Sequence, residues 1–282
     1  MAHIIDGRKM ADEILDEVRA RVARLKGKPV LSVVLVGKDP ASEVYVRKKE
    51  EACARVGIRA ENSRLDEATS EKKVMVLVRK LNRNRKVNGI LVQVPLPRHI
   101  DGKKVTGEVA PEKDVDGFTA VNVGRLTSGN ELEGFVPCTP LGVIEMLKRS
   151  GVMIGGKNAV VVGRSSAVGK PLALLLIARG ATVTVCHSMT KDLAAETRRA
   201  DILISAVGKP GLITGDMVKQ GAVVIDVGIT REEDGKLKGD VDFGSVKEKA
   251  GMITPVPGGV GPMTIAMLMK NVLKAYEMQG GK

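Results

Sequence analysis

AVVVGRSSAVGKP (159–171) decides the fold of this chain. Its apolar run ends at Gly163, a short polar loop follows, and a helix is expected to begin near Val168. A strand, a glycine turn and a helix in this order are typical of a Rossmann nucleotide-binding unit, in which phosphates bind at the helix N-terminus. The spacing departs from G-x-G-x-x-G, because Ser165 stands where the second glycine is usual and the final glycine is Gly169. An ordinary turn between a strand and a helix is the alternative.

Apolar strands separated by helical segments make up this half of the chain. The predicted strands are residues 158–163, 181–186, 201–208 and 222–228. Three further strands after the first loop favour a nucleotide site over an ordinary turn.

The first half of the chain repeats the alternation of strand and helix. Its predicted strands are 30–37, 58–65 and 89–94, and its predicted helices are 9–26, 42–56 and 70–84. Ser42 is the predicted N-cap of the second helix and Gly57 its stop. Near-continuous apolar strands alternating with helices indicate parallel sheets covered on both faces. The predicted fold class is therefore α/β, with one domain ending near residue 138, a second running to about residue 260, and a last helix.

Composition narrows the class of partner. The 282 residues are 43% hydrophobic and carry a net charge of +12, which favours anionic partners. The basic residues are spread along the predicted helices, and the chain has no Trp, two Tyr and three Phe. Nucleic-acid modules usually combine a concentrated basic patch with aromatic platforms. We therefore expect small polyanions and no nucleic acid, with a basic nucleic-acid-binding protein as the alternative from another functional class.

Cysteine, histidine and hydropathy patterns argue against other kinds of site. Cys53, Cys138 and Cys186 are far apart, and the three histidines show no paired ligand spacing, so we expect no metal site. The N-terminal MAHIIDGRKM lacks the apolar run of a signal peptide, and no stretch reaches the roughly 18 apolar residues of a membrane span. We expect a soluble, cytoplasmic protein with no membrane partner.

The residues around the glycine loop favour NADP over NAD. NAD-binding folds usually place an acidic residue about 20 residues after the glycines, where it accepts a hydrogen bond from the ribose 2′-hydroxyl. Here the next strand ends in Cys186, followed by His187 and Ser188, with no acid until Asp192. Arg164 lies in the loop itself, where a guanidinium pairs well with a 2′-phosphate, and Ser188 is a further donor.

A second group of candidate residues lies in the first half of the chain. Tyr45 and Lys49 are four residues apart on one predicted helix, so they project from one face. Gln93 ends the otherwise apolar strand GILVQV (89–94), as either a satisfied core amide or a site residue. In KDVDGF (113–118), a turn-forming role fits Asp114 better than Asp116.

TPVPGGVGPMT (254–264) holds three prolines and three glycines just before the last predicted helix, 265–276. Prolines fix the backbone, and glycines permit close approach of another group. Taken alone, the stretch is either a rigid turn or part of a site.

Six segments in this order resemble the signatures of the bifunctional methylenetetrahydrofolate dehydrogenase/methenyltetrahydrofolate cyclohydrolase family. They are YVRKKEEAC (45–53), GILVQVPLP (89–97), PEKDVDGF (111–118), PCTP (137–140), VVVGRSSAVGKP (160–171) and TPVPGGVGPMT (254–264). The resemblance spans nearly the whole chain. It implies a folate-binding catalytic domain of residues 1–138 plus 263–282, and an NADP-binding Rossmann domain of residues 139–262 through which a homodimer forms. The last helix returns to the first domain.

The same resemblance implies roles for individual residues. Lys49 is the central catalytic residue and Gln93 its partner, Tyr45 stacks on the aromatic part of the folate, and Asp116 binds the pterin. The implied NADP-binding residues are Gly163, Arg164, Ser165, Ser188 and Ile229. The implied residues that close over the folate are Gly258, Gly259 and Pro262.

These roles imply oxidation of 5,10-methylenetetrahydrofolate by NADP, followed by hydrolysis of the methenyl product to 10-formyltetrahydrofolate. Lys49 is expected to act as base or proton relay in the second step. Two other enzymatic interpretations are a dehydrogenase of this family with little cyclohydrolase activity, and a different two-domain NADP dehydrogenase.

Overall fold

The computed structural model describes residues 1–130, 133–232 and 235–281. The chain divides into two compact units. One is Asp12–Cys138 with Ile265–Lys282, and the other is Met1–Ala11 with Thr139–Thr264.

Strands and helices alternate along most of the chain. The strands are β1 (His3–Ile4), β2 (Val30–Val36), β3 (Arg59–Leu65), β4 (Gly89–Val92), β5 (Asn158–Val162), β6 (Thr182–Cys186), β7 (Ile202–Ser205), β8 (Val223–Asp226), β9 (Thr230–Arg231), β10 (Leu237–Lys238) and β11 (Met252–Ile253). The helices are α1 (Gly7–Val22), α2 (Pro40–Val56), α3 (Glu71–Arg83), α4 (Gly102–Gly107), α5 (Ala120–Thr127), α6 (Cys138–Arg149), α7 (Gly169–Ala178), α8 (Leu193–Thr197), α9 (Phe243–Lys247) and α10 (Val260–Met278). The predicted α/β class with parallel sheets is confirmed.

The first unit contains a three-stranded parallel sheet in the order β3-β2-β4. All seven residues of β2 are buried, because this central strand has a neighbour on each side and side chains packed on both faces. The apolar side of α3 packs on this sheet through Val74, Met75, Val78 and Leu81. The part of α10 from Ile265 onward belongs to this unit, so the last helix returns to it as predicted.

The second unit contains a six-stranded sheet in the order β1-β11-β8-β7-β5-β6, in which every pairing is parallel. Strand β1 lies at one edge of this sheet, whereas the family resemblance implied that the N-terminus belongs to the folate-binding domain. Because His3 and Ile4 pair with Met252 and Ile253, the first eleven residues lie in the unit of the six-stranded sheet. A two-residue strand is too short to show a period of two in the sequence.

The start of α2 also differs from the prediction. Its N-cap is Asp39, whose carboxylate accepts a hydrogen bond of 2.7 Å from the backbone N–H of Ser42, and Pro40 occupies the first turn. The predicted cap, Ser42, therefore lies inside the helix, because proline at N1 lets the helix begin earlier. This hydrogen bond lowers the pKa of the Asp39 carboxyl. Gly57 is the C-terminal stop, as predicted.

Two further corrections concern helices. The last helix begins at Val260 rather than near residue 265, since proline is tolerated in a first turn. The short helices α4 and α5 were not predicted. Within the described ranges, no helix is both long and apolar enough to cross a membrane.

Candidate active site

Helix α2 carries the first two candidate side chains. The Asp39 cap and Pro40 fix its first turn, and Val46, Ala52, Cys53 and Val56 are buried on its inner side. Tyr45 and Lys49 lie one turn apart; the side chain of Tyr45 is 38% exposed and that of Lys49 is half-buried. The helix thus presents an aromatic ring and an amine to solvent from one face.

Gln93, the residue after β4, contacts this helix. The Nζ atom of Lys49 donates a hydrogen bond of 2.9 Å to Oε1 of Gln93. The Gln93 amide nitrogen donates to the carbonyl oxygen of Val94 at 2.7 Å, and the backbone N–H of Gln93 donates to Val34 at 2.9 Å. These bonds orient the amide so that its oxygen faces the lysine. Gln93 is only 7% exposed, so it holds the Lys49 nitrogen from the protein side.

Asp116 is electrostatically coupled to the same lysine. Burial raises the pKa of the Asp116 carboxyl above its ordinary value, and the nearby charge of Lys49 opposes that shift. The Cys138 thiol lies beside this carboxyl and also 3.4 Å from the carbonyl oxygen of Val115. Burial is also the main reason that the pKa of Cys138 is raised well above its ordinary value. The structure therefore brings Lys49, Gln93 and Asp116 together.

Asp114 has the turn-forming role that the sequence favoured for it. Its carboxylate accepts hydrogen bonds from the backbone N–H groups of Phe118 at 3.2 Å and Thr119 at 2.8 Å, and from the Asn122 amide at 2.9 Å. Asp114 is 3% exposed. It shapes the loop that carries Asp116.

Asn271 on α10 supports the site, and this role was not predicted from the sequence. Its Nδ2 atom donates to the carbonyl oxygens of Val115 at 2.8 Å and Val136 at 3.1 Å. The first carbonyl belongs to the residue before Asp116. The available sequence signal was a polar residue in the apolar run of the last helix. Asn271 is 4% exposed, and buried polar residues are uncommon unless they are hydrogen-bonded.

The predicted cofactor loop follows β5 in the other unit. A Cβ atom placed on Gly169 would lie 2.0 Å from the carbonyl oxygen of Gly163, so only glycine permits this close packing of the loop on the start of α7. The Ser165 hydroxyl accepts from the backbone N–H groups of Val168 at 3.2 Å and Gly169 at 3.4 Å. Ser165 therefore shapes the loop at the start of α7, where positive helix-dipole charge favours a phosphate.

Arg164 and Ser188 follow two paired strands. Gly163, just before Arg164, donates through its backbone N–H to the carbonyl oxygen of Cys186 at 2.9 Å. Both Arg164 and Ser188 are exposed. The first acid after β6, Asp192, instead accepts from the backbone N–H of Ala195 at 2.9 Å as the N-cap of α8. The described residues at this end of β6 thus offer a cation and a hydroxyl, which suits a phosphate.

The remaining predicted residues belong to the same unit as the cofactor loop. Ile229 follows β8 and is 39% exposed, and a Cβ atom on Gly261 would lie 3.6 Å from its Cδ1 atom. The carbonyl oxygen of Gly258 accepts from the backbone N–H of Arg8 at 2.9 Å. Gly259 and Pro262 lie in this stretch, so it belongs to a different unit from Tyr45, Lys49, Gln93 and Asp116.

Family models match both parts of the chain. The catalytic domain of tetrahydrofolate dehydrogenase/cyclohydrolase matches residues 5–116, and the NAD(P)-binding domain of the same family matches residues 137–280. The chain is 60% identical over 277 residues to the bifunctional protein FolD of Moorella thermoacetica, covering 97% of this chain and 98% of that protein.

Solved structures show the same similarity. The bifunctional enzyme FolD of Campylobacter jejuni, a methylenetetrahydrofolate dehydrogenase/cyclohydrolase, is 46% identical with a TM-score of 0.97, over 99% of each chain. The Trypanosoma brucei enzyme, solved with NADP cofactor and inhibitor, is 43% identical with a TM-score of 0.93, over 98% of each chain. Together with the family models, these matches show that the chain belongs to the tetrahydrofolate dehydrogenase/cyclohydrolase family.

Proposed function

We propose that Lys49, held by Gln93, is the proton-transfer centre of a bifunctional folate enzyme. The chain is an NADP-dependent methylenetetrahydrofolate dehydrogenase and a methenyltetrahydrofolate cyclohydrolase. The 2.9 Å contact between Lys49 and Gln93 carries the proposal for the second reaction, because it fixes a proton-carrying group at the end of a buried strand.

The hydrolytic step needs two proton movements. Addition of water to the methenyl cation releases one proton, and opening of the ring moves another from the new hydroxyl group to the leaving nitrogen. A single amine near both atoms can accept the first proton and relay the second. We assign this relay to Lys49, with Gln93 as the acceptor that fixes its position.

Asp116 and Tyr45 are the proposed substrate-binding residues. A carboxylate accepts hydrogen bonds from the N–H groups of a pterin ring, and the electrostatic interaction of Asp116 with Lys49 supports a pterin position next to the proton relay. The exposed ring of Tyr45 offers a stacking surface one helical turn away.

Arg164, Ser188 and the N-terminus of α7 are the proposed NADP-binding groups. Ser165 and Ser166 are exposed just before the start of α7, where the positive end of the helix dipole favours a pyrophosphate. The guanidinium of Arg164 and the Ser188 hydroxyl are the donors for the 2′-phosphate. NADP supplies the hydride acceptor when bound, and the chain's residues orient it.

The further assignments rest on the family resemblance and on the fold. We assign folate binding to residues 1–138 with 263–282, save for the first eleven residues, and NADP binding to residues 139–262. Gly258, Gly259 and Pro262 are proposed folate-binding residues, and Ile229 a proposed NADP-binding residue. These assignments are separately testable by substitution and measurement of KM for each ligand.

We propose a homodimer formed through the six-stranded sheet. In the part of the chain that the structure describes, β6 has a strand partner only on its β5 side. Ile177 on α7 is 55% exposed and Val185 on β6 is 37% exposed, and unpaired apolar edges of this kind favour association with a second copy. Sedimentation velocity should show a dimer, and the Val185→Lys variant should sediment as a monomer. A wild-type monomer at assay concentrations would contradict the assignment.

A cytoplasmic location is also proposed. The three cysteines are unpaired and buried, which fits a reducing compartment. Cell fractionation should recover the protein with cytoplasmic markers, and recovery with an exported fraction would contradict this location.

One assay tests substrate, cofactor and the order of the two reactions together. Absorbance of the methenyl intermediate is followed after 5,10-methylenetetrahydrofolate is mixed with the protein and either NADP or NAD. The proposal predicts faster turnover with NADP and decay of the intermediate to 10-formyltetrahydrofolate. Lack of oxidation with either cofactor would contradict it.

A further inference from the structure

Two buried carboxylates lie beyond the ends of the central strands of the six-stranded sheet. Asp226 is the last residue of β8 and is 3% exposed, and Asp240 follows β10 and is fully buried. Neither residue belongs to the site described above. Buried carboxylates are rare unless they are fully hydrogen-bonded.

The carboxylate of Asp240 accepts hydrogen bonds from the end of β7 and from the segment that follows it. Its Oδ2 atom accepts from the Ser205 hydroxyl at 2.9 Å and from the backbone N–H of Val207 at 2.7 Å, and its Oδ1 atom accepts from the backbone N–H of Lys209 at 2.8 Å. Three donors from residues 205–209 therefore converge on one side chain. Loop segments are usually mobile, and these three hydrogen bonds hold this one in place.

Asp226 in turn holds Asp240 in place. Its Oδ1 atom accepts from the backbone N–H groups of Gly228 and Asp240, each at 3.0 Å, and its Oδ2 atom accepts from the backbone N–H of Val241 at 2.9 Å. Packing here is tight, since a Cβ atom on Gly239 would lie 1.9 Å from Oδ2 of Asp226. Burial raises the pKa of the Asp226 carboxyl to about 6. The loops after β7, β8 and β10 are thus joined through two carboxylates.

These joined loops present exposed apolar side chains, and the loop after β7 lies beside the cofactor loop. Val207 after β7 is 48% exposed, and Ile229 after β8 is 39% exposed. β7 is the neighbour of β5, and a Cβ atom on Gly163 would lie 2.5 Å from the carbonyl oxygen of Ala206. The proposed 2′-phosphate site at Arg164 places the adenosine half of the dinucleotide on the β6 side. A dinucleotide bound across the start of α7 then has its nicotinamide half toward β7 and β8.

We propose that Asp240 is a positioning residue for NADP, because it holds residues 205–209 where the nicotinamide half binds. The inference rests on the proposed placement of the 2′-phosphate at Arg164. NADP and NAD share the nicotinamide half, so loss of this support weakens both cofactors by the same factor. Substitution of Arg164 instead weakens the binding of NADP alone. The two cofactors therefore distinguish a wrong role for Asp240 from a wrong position of the 2′-phosphate.

The test measures dehydrogenase and cyclohydrolase activities of three variants at pH 7.5, with KM determined for both NADP and NAD. Asp240→Asn replaces one acceptor oxygen by an N–H donor, so a backbone N–H of the 205–209 segment loses its acceptor; KM for both cofactors should rise roughly tenfold or more. Ser205→Ala removes one donor of three, and about a threefold rise in both KM values is expected. Asp242→Asn, an exposed carboxylate two residues from Asp240, is the control and should leave both values unchanged.

Cyclohydrolase activity on methenyltetrahydrofolate, assayed without cofactor, distinguishes positioning from simple loss of structure. The proposal predicts that Asp240→Asn keeps this activity while its KM for NADP and NAD rises. Unchanged KM values, or a parallel loss of both activities in a folded protein, would overturn it. If Asp240→Asn does not fold, Ser205→Ala decides: a shared rise in both KM values supports the proposal, and unchanged values refute it.

Discussion

The Nζ atom of Lys49 lies 2.9 Å from Oε1 of Gln93, whose amide is itself oriented by the carbonyl oxygen of Val94. Helix α2 and the end of strand β4 therefore share one polar contact at the edge of an apolar core.

Gln93→Met keeps the length of the side chain and removes the acceptor. We expect cyclohydrolase activity to fall about tenfold to a hundredfold, because hydrogen bonds to charged groups contribute about 1.5–3 kcal/mol. Stopped-flow hydrolysis of methenyltetrahydrofolate measures this change, and wild-type activity would count against the role of Gln93.

Arg164 is expected to set the preference for NADP. Arg164→Ala removes the cation beside the proposed 2′-phosphate site, so KM for NADP should rise roughly tenfold to a hundredfold while KM for NAD changes little. Steady-state dehydrogenase assays with both cofactors test this. Lys157→Ala, an exposed cation just before β5, is the control and should change neither value. Equal effects of Arg164→Ala on the two cofactors would argue against a 2′-phosphate contact.

Asn271 is expected to support both stability and substrate binding. Asn271→Ala leaves the carbonyl oxygens of Val115 and Val136 without this donor, which should lower the free energy of unfolding by about 1–3 kcal/mol. It should also raise KM for methylenetetrahydrofolate, since Val115 precedes Asp116. Urea unfolding and steady-state kinetics measure the two effects. Exposed Asn130→Ala is the control, and matching results for the two variants would rule out this supporting role.

The buried cysteines are expected to be unreactive in the folded protein. Burial raises the pKa of Cys53 to about 12 and also raises the pKa of Cys138 and Cys186. Ellman's reagent at pH 8 should therefore titrate none of the three thiols quickly before denaturation and all three after it. Because folding raises the pKa of Cys53, the contribution of this thiol to stability is present below pH 9 and is lost as pH rises toward 12. A fast-reacting thiol in the native protein would be the contrary result.

Local sequence signals predicted the parts of the fold and site that lie within one element. The spacing of Tyr45 and Lys49 placed both on one helix face, and Gln93 in an apolar strand marked a polar contact. The sequence around the glycine loop after β5 likewise predicted a strand, a turn and a helix. These features depend on residues close in sequence, so one chain was enough to find them.

Some features that join distant segments were not predicted. Asp240 binds residues 205–209 and is held by Asp226, so its role exists only once three loops have come together. Strand β1 has two residues and gains its partner from β11 near the other end of the chain. Asn271 gives only a weak signal, because a lone asparagine in an apolar helix does not show which carbonyl oxygens it reaches.

The role of Lys49 is tested most directly by comparing Lys49→Met with Lys48→Met in the hydrolysis of methenyltetrahydrofolate. Lys48 is the preceding residue of the same helix and is exposed, so it controls for loss of a positive charge from α2. Lys49→Met should lose activity by about a hundredfold or more, the contribution typical of a positioned acid–base group. Lys48→Met should stay within about twofold of the wild type, as exposed substitutions usually do. Full hydrolysis by Lys49→Met would contradict the assignment of Lys49 as the proton relay.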